Sequence, residues 1–370
     1  MGGSMKMTAL SVMLLMCFAV RATDAQAGIV RTVVAKKFIT SSVSRFGLGI
    51  EGMAVDQVGN VYAVGFAGDG TSGIGSVANA RAQLEQNLLV KDQTASSSFN
   101  GLRFLPLSPS LSTNFDLRAL AADVKSHSVV QFLRSKRDGR TRGSPFCQNS
   151  SMIQPNDIAV AVKSGRIYMT GGAYSNVNTV VGHGDLWMCE GRSSFTNTSR
   201  ELDLEPVEAK LLGLFGLTNG IEVSPDEKTL YLTESFHKFG EPYSNFIWKF
   251  DIDQKTGLVD NKTLLVDFQK LDGSGHVDLD GMRCDVHGNL FVTKNGMNGE
   301  TVKISPTGEL LLRIKLPGLY ETTNVEFGGP DGKTLYMSGK CIDNPDLGCV
   351  DMWDGNPAPG AAWALSALHH

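Results

Sequence analysis

The chain has 370 residues, of which 42% are hydrophobic and 19% charged, so it carries enough apolar material for a full core and is not intrinsically disordered. Its formal net charge of −4 lacks the basic excess that nucleic-acid-binding proteins show, and we expect no nucleic-acid partner. The 41 glycines follow no Gly-X-Y period, which excludes collagen and favours a turn-rich fold.

The first 27 residues have the pattern of a secretory signal peptide. Lys6 precedes a short apolar run at 8–20, and small residues at 25–27 suit cleavage. The alternative is an anchored N-terminal helix, but a membrane span needs roughly 20 apolar residues. We therefore expect a secreted protein with no membrane anchor after cleavage.

A repeated pattern of two short strands runs through the rest of the chain. Each copy begins with a polar residue and usually a glycine, continues into an apolar strand, and turns into a second β-rich run. The lead residues, 44 to 63 residues apart, are Glu51, Asn100, Asn156, Asn219, Asp280 and Asn324. Repeats of this length built from strands predict an all-β, six-bladed β-propeller over residues 28–355, with no second domain. The alternative is a β-sandwich with accidental repeats.

The segments outside the repeats have weaker patterns. The β-rich run 29–39 has no repeat of its own, and we expect it to complete the last blade and close the ring. Residues 78–91 fit a short helix or an irregular insertion, and the poorly patterned segments 67–99 and 106–115 are expected to be loops. The Pro- and Ala-rich tail, 356–370, is expected to be flexible.

Cysteine positions agree with secretion. Cys341 and Cys349 bracket a short loop and suit a local disulfide, whereas Cys147 and Cys189 lie beside loop residues and form a second candidate pair. Cys284 lies within a strand, as a buried free thiol would. Three N-glycosylation triplets, at Asn149, Asn197 and Asn261, favour a glycoprotein.

The lead residues predict a metal site. The first strand of each blade lines the channel of a propeller, so these six oxygen-bearing residues are expected to form a ring around one axis. Turn chemistry explains any single Asn-Gly pair, but two carboxylates facing one axis need a partner. We expect one divalent cation, with Ca²⁺ favoured by oxygen-only ligands and Zn²⁺, Mg²⁺ or Mn²⁺ as alternatives. The proposed ligands are Glu51, Asn156, Asn219 and Asp280.

The same stretches resemble the family of senescence marker protein (regucalcin), gluconolactonase and luciferin-regenerating enzyme. The resemblance covers about residues 45–340, is weakest over the second blade, and lies in residues 51–56, 155–160, 219–226, 280–285 and 323–336. It implies a six-bladed propeller with one channel metal that hydrolyses lactones or related esters. Some sugar-lactonase members carry Arg where this chain has Gln154, a departure that weighs against a sugar lactone.

The resemblance also implies residue roles. It makes Glu51 and Asn219 metal ligands, and it makes Asp280 both a ligand and the catalytic acid/base; whether Asp280 activates water or attacks directly stays open. Asn156 and Asp157 match the family's substrate-side pair. From their positions in the chain, we also expect the substrate to meet Asn100, Asn324 and His276, the last of which is alternatively an ordinary loop histidine.

The sequence therefore predicts a monomeric, secreted, metal-dependent hydrolase acting on a small-molecule lactone or ester. Its competitor is a non-catalytic calcium-binding propeller that holds a ligand at the channel mouth. A strictosidine-synthase-like propeller is a weaker alternative, because such proteins need not keep the metal ring.

Overall fold

The protein forms a six-bladed β-propeller in a computed structural model, which confirms the predicted fold class. The structure describes residues 30–66, 73–91, 97–108, 111–190, 205–296 and 298–367. The predicted signal peptide and Asn197 lie outside these ranges.

Each blade is one sheet in which at least the first three strands follow one another in the chain. Three strands precede the first blade: β1 (Arg31–Val34), β2 (Lys36–Ile39) and β3 (Phe46–Gly47). Blade 1 contains β4 (Met53–Val55), β5 (Val61–Val64), β6 (Gly73–Ala78) and β7 (Leu88–Lys91). Blade 2 contains β8 (Phe99–Phe104), β9 (Phe115–Asp123), β10 (Ser128–Ser135), β11 (Thr141–Gln148) and the later β15 (Val207–Glu208).

The other four blades continue this order. Blade 3 contains β12 (Pro155–Ala161), β13 (Arg166–Gly172), β14 (Gly184–Cys189) and β16 (Lys210–Phe215). Blade 4 contains β17 (Leu217–Val223), β18 (Thr229–Lys238), β19 (Glu241–Ile252) and β20 (Val259–Asp267). Blade 5 contains β21 (Asp278–Cys284), β22 (Leu290–Asn295), β23 (Glu300–Ile304) and β24 (Leu310–Lys315). Blade 6 contains β25 (Leu319–Gly328), β26 (Thr334–Cys341) and β27 (Leu347–Trp353).

The N-terminal run closes the ring, as predicted, and it does so twice. Strand β2 pairs antiparallel with β27 and completes blade 6, whereas β1 adds a parallel fifth strand to β24 of blade 5. These pairings cover the outer strands of the last two blades, so the backbone groups of those strands are satisfied and their edges protected. The two ends of the propeller are thereby held together by main-chain hydrogen bonds.

The core consists of apolar layers, one between each pair of neighbouring blades. The layer between blades 6 and 1 contains Ile39, Phe46, Met53, Tyr336 and Val350, so it joins the first strands of the chain to the last. Because each blade packs on two others, the ring must close before the core is complete. This packing fixes the inner strands around a common channel.

The connection after β6 does not contain the short helix that was one of the two alternatives predicted for residues 78–91. Residues 79–82 form a turn, and β7 then supplies the outer strand of blade 1. The loop predicted over 67–99 is likewise interrupted by β6 and β7. Pairing with β6 overrides the local helix preference, because a four-stranded blade needs an outer strand at this position. The 3₁₀-helix Leu111–Thr113 lies within the predicted loop 106–115.

The C-terminal segment is ordered through residue 367, so the prediction of a flexible tail is wrong over the described part. Its last residues form a helix, α2 (Ala361–Ala367), and Ala358 and Ala361 are buried. Lys303 Nζ donates to Asn356 Oδ1 at 3.1 Å. Alanine favours helix formation, and α2 contacts the inner strands β21 and β25.

Both predicted disulfides are present. Cys341 and Cys349 join β26 to β27 with a Cα–Cα distance of 4.9 Å, and Cys147 and Cys189 join blades 2 and 3 at 6.3 Å. Cys284 is a buried free cysteine, as expected. The other described helix is the one-turn α1 (Phe268–Asp272), and none of the helices in the described ranges has the length and apolarity required to span a bilayer.

Candidate metal and substrate site

The inner strands share one irregularity at the level of the lead residues. In five of them the pairing with the second strand of the blade breaks at this level; for example, Thr218 pairs with Glu234 and the next pair is Ile221 with Leu232. Such bulges turn successive side chains to one side of a strand. The break therefore lets several residues of each inner strand face the channel.

Glycines after the lead residues allow the inner strands to approach one another closely. A Cβ atom on Gly52 would lie 2.4 Å from the carbonyl oxygen of Asn100, and one on Gly220 would lie 2.3 Å from that of Asp280. Real side chains cannot occupy that space. The Asn-Gly and Asp-Gly pairs therefore reflect contact between neighbouring blades rather than turn formation alone.

Hydroxyl groups at the ends of the second strands join the blades at this level. Thr170 Oγ1 donates to the carbonyl oxygen of Asn219 in the next blade. Ser338 Oγ likewise donates to the carbonyl of Glu51, at 3.4 Å. These bonds hold the lead residues at one height around the channel.

Two of the predicted ligands are carboxyl groups that influence each other. Burial raises the pKa of Asp280 well above its usual value, and the Glu51 carboxylate raises it further. Burial likewise raises the pKa of Glu51 to about 7, with Lys340 opposing the effect and Asp157 adding to it. Within the described part of the chain, Asp280 Oδ2 accepts a hydrogen bond from Asn295 Nδ2 at 2.8 Å, and no cationic side chain is within ion-pair distance of Asp280.

The amide oxygens complete a set of hard oxygen ligands for a metal ion. Asn156 is buried, and Asn219 Oδ1 is buried without a hydrogen-bond donor in the ranges that the structure describes. Asn219 precedes Gly220, which packs against the Asp280 carbonyl, so its oxygen lies on the strand next to Asp280. A divalent cation fits this set, because its charge would offset the cost of burying two carboxylates and an amide oxygen without a donor. Among the described residues there is no cluster of three or more His, Cys, Asp or Glu suited to a metal, so this set depends on its amides.

The ring differs from the prediction in blade 6. In blade 4, Glu222 follows the lead residue Asn219 by three positions and pairs with Tyr231 of the second strand. The equivalent pair in blade 6 is Glu326 with Tyr336. The equivalent lead residue in blade 6 is therefore Thr323, and Asn324 lies one position further along. Asn324 Oδ1 accepts from the next backbone N–H at 2.9 Å, and its amide packs on Gly281. The ring thus contains a hydroxyl where an amide was expected.

Asp157 is buried below the ring and paired with arginine. Its Oδ2 lies 3.3 Å from Nη1 of Arg283, and its Oδ1 lies 3.5 Å from Nη1 of Arg103. Arg283 also donates to Glu326 at 3.1 Å and to the carbonyl oxygen of Met53 at 2.6 Å. The side chain of Arg283 therefore reaches from blade 5 to blades 1, 3 and 6 across the channel.

Apart from Asp157, which was predicted to meet the substrate, the residues of this buried ion network were not among the predicted ones. The network contains two guanidinium groups and three carboxylates, and its members are Arg103, Asp157, Glu222, Arg283 and Glu326. Burial raises the pKa of Glu222, which lies 3.7 Å from Arg103. The signal was present in the sequence, because Arg or Glu recurs three residues after the lead residue in otherwise apolar strands.

The predicted histidine is not in contact with the ring in the described structure. His276 is exposed on the loop after α1. A different histidine lies closer: His237 Nε2 is 2.9 Å from the carboxylate of Asp278, two residues before Asp280. The hydrogen bond to Asp278 raises the pKa of His237. Sequence spacing could not identify His237, because it comes from blade 4.

Tyr174 is a further residue that the sequence did not identify. It follows β13, and its hydroxyl donates to the carbonyl oxygen of Thr218, next to Asn219. Burial raises its pKa well above the usual value, and Asp280 contributes to the shift. Its loop, residues 173–183, therefore begins beside the ring.

Comparison with known proteins agrees with this architecture. The sequence model for the SMP-30/gluconolactonase/LRE-like region matches residues 114–340. Regucalcin of Xenopus laevis is 34% identical over 161 residues, covering 43% of this chain and 48% of regucalcin. Gluconolactonase of Zymomonas mobilis is 33% identical over 186 residues, covering 50% of this chain and 47% of that protein. The chain thus spans about half the length of the curated relatives it matches.

Solved structures support the fold over a longer part of the chain. A luciferin-regenerating enzyme superposes with a TM-score of 0.60 at 19% identity, covering 87% of this chain and 96% of that structure. A gluconolactonase from Xanthomonas campestris gives a TM-score of 0.53 at 15% identity, with coverages of 86% and 95%. At these sequence identities the structural likeness demonstrates the propeller fold alone.

Proposed function

The chain belongs to the SMP-30/gluconolactonase/LRE-like family, and on that basis we propose that it is a secreted, metal-dependent hydrolase of lactones or related esters. The observation that carries the proposal is a set of buried oxygens on neighbouring inner strands. The Glu51 carboxylate raises the pKa of Asp280. Asn219, whose Oδ1 has no hydrogen-bond donor among the described residues, precedes Gly220, which packs against the Asp280 carbonyl. A buried acid whose pKa is raised further by a second carboxylate is typical of functional sites.

Glu51, Asn156, Asn219 and Asp280 would hold the cation. Their donors are all oxygens, which favours Ca²⁺ over softer metals. A bound divalent cation would polarise the substrate carbonyl and stabilise the negative charge that develops on its oxygen. Four protein ligands leave coordination positions for water and substrate, since Ca²⁺ takes six to eight.

Asp280 is the proposed acid/base. The hydrogen bond from Asn295 orients its carboxylate and leaves the other oxygen for the reaction. Acting as a base, it takes a proton from the water that attacks the carbonyl carbon, and it returns a proton to the alkoxide when the ring C–O bond breaks. Acting as a nucleophile, it attacks the carbonyl carbon and forms a mixed anhydride as the ring C–O bond breaks, and water then hydrolyses the anhydride at the Asp280 carboxyl carbon. A single turnover in H₂¹⁸O separates the two, because only the nucleophile places unlabelled oxygen in the first product.

Support for secretion comes from the two disulfides, since such bonds persist in oxidising compartments. The proposal predicts that protein expressed in a secreting host with a C-terminal tag appears in the medium and begins near residue 28. A cytosolic product with an intact N-terminus contradicts it.

A panel of sugar lactones, alkyl lactones, aryl esters and phosphotriesters, assayed with Ca²⁺ and with chelator, tests the activity. Asp280→Asn at saturating Ca²⁺ should lower the rate about 10²–10⁴-fold, the usual effect of losing a general base. Asp116→Asn, a matched change at an exposed ion pair, should leave it unchanged. A wild-type rate for Asp280→Asn would refute the role of Asp280.

Calcium binding is measured separately by thermal denaturation. Ca²⁺ should raise the melting temperature of the wild type by mass action, and Glu51→Gln should weaken this effect, because it removes one of two charges facing the cation. Calcium binding without hydrolysis of any substrate on the panel would favour the non-catalytic propeller instead.

A further inference from the structure

Apolar side chains are exposed on two loops that begin near the ring. The loop 173–183 exposes Val177, Val180 and Val181, and the hairpin between β18 and β19 exposes Phe239 and Tyr243. Their exposed fractions run from 55% for Tyr243 to 80% for Phe239. We refer to these five residues as the apolar wall. Exposed apolar surface of this kind is typical of binding sites.

Hydrogen bonds join the two loops into one surface. The backbone N–H of Gly240 donates to the carbonyl oxygen of Val177 at 2.7 Å, and that of Phe239 donates to Asn178 Oδ1 at 3.0 Å. The N–H of Thr179 donates to the carbonyl of His237 at 3.0 Å. Val177 and Phe239 are therefore neighbours although they come from different blades.

Both loops are also anchored at the candidate site. Val177 is three residues after Tyr174, which lies beside the ring, so the two are within about 10 Å. Phe239 is two residues after His237, which is bonded to Asp278 close to Asp280. The apolar wall is consequently at the channel mouth, within reach of a substituent on a substrate bound at the ring.

The opposite side of the mouth is charged. Glu321 and Lys340 of blade 6 form an ion pair, and both influence the pKa of Glu51. Loop 173–183 contains no Asp, Glu, Lys or Arg. Lys238, whose Nζ lies 5.6 Å from the ring centroid of Phe239, supplies a charge next to the wall. A bound substrate would therefore meet apolar surface on the side of blades 3 and 4.

We propose that the apolar wall binds the alkyl substituent of the substrate, so that the protein prefers alkyl-substituted lactones to polyhydroxylated sugar lactones. This inference rests on the proposed function and names its substrate class. Burial of each methylene against the wall should raise the specificity constant, because apolar surface leaves water.

The test uses γ-lactones with methyl, butyl and heptyl substituents on the full chain. For the wild type, kcat/KM should rise about 2- to 4-fold per added methylene until the wall is covered. The double variant Val177→Ser/Phe239→Ser should lose about 10-fold or more on the heptyl lactone and keep its rate on the methyl lactone. Val58→Ser, which changes a valine of equal 60% exposure in the turn after β4, is the matched control and should behave as wild type.

Binding of the corresponding γ-lactams, which resist hydrolysis, is measured by calorimetry in parallel. The inference is overturned if the lactones are hydrolysed at rates that do not depend on chain length, or if the double variant shows the same dependence as the wild type. Either result leaves the proposed hydrolase activity standing. If no lactone is hydrolysed but the heptyl lactam binds more tightly than the methyl lactam in the wild type alone, the apolar wall stands and the proposed activity falls. Absence of both effects overturns both.

Discussion

Replacing Arg283 by Met should be strongly destabilising, because Arg283 is the centre of the ion network below the ring. The side chain is 2% exposed, and it lies within 3.3 Å of the carboxylates of Asp157 and Glu326. Both carboxylates are 1% exposed, so neither gains solvent when the guanidinium is removed. Breaking a buried ion pair on one side costs about 3–5 kcal/mol, and we expect the unfolding free energy to fall by that amount.

Urea unfolding followed by tryptophan fluorescence measures this loss. Arg134→Met is the control, since Arg134 pairs with Asp116 at 2.8 Å on the surface and its loss should cost at most about 1 kcal/mol. Glu326→Gln in the Arg283→Met background removes one unpaired charge, so the double variant should lose at least about 1 kcal/mol less than the sum of the single changes. An Arg283→Met protein within about 1 kcal/mol of wild type would refute the buried network.

Three further predictions concern the ring, the pH dependence and the C-terminal segment. Gly220→Ala places a Cβ against the carbonyl of Asp280, so the calcium-dependent rise in melting temperature should shrink; an undiminished rise would contradict the close approach. Burial raises the pKa of Asp351 to about 6, so the folded state holds this proton more tightly than the unfolded chain. The unfolding free energy should therefore fall by up to about 3 kcal/mol between pH 4 and pH 6, and Asp351→Asn should remove that part of the slope in urea titrations. Deleting residues 356–370 removes the bond to Lys303 and the buried alanines, at a cost of about 2–4 kcal/mol in urea unfolding, whereas a dispensable tail would leave stability unchanged.

The repeat in the sequence was sufficient to predict the blades, because each blade carries its own strand-turn-strand signal. Five of the six ring positions follow from the same signal. In each of these blades the lead residue stands three residues before the equivalent cross-strand pair of the first two strands; these lead residues are Glu51, Asn100, Asn156, Asn219 and Asp280. Asn324 resembled them locally and was misplaced by one residue. A shift of one residue changes the direction of a side chain, and only pairing with β26 determines it.

Contacts between side chains of different blades could not be predicted from the sequence. Arg283 reaches Asp157 over a separation of 126 residues, and His237 reaches Asp278 over 41 residues. Neither pair leaves a local pattern that identifies the partner. The same holds for the C-terminal segment, whose composition indicated flexibility until its contacts with Lys303 and Gly332 were known.

The sequence by itself therefore determined the number of blades, the local disulfide between Cys341 and Cys349, and the lead residues of five of the six inner strands. These features depend on periodicity and on neighbours close in the chain. Only the tertiary structure decided which charged groups compensate one another in the channel, and which loops meet at its mouth. Closure of the ring brings distant inner strands within a few ångströms, and the resulting burial and Coulomb interactions act through space rather than along the chain.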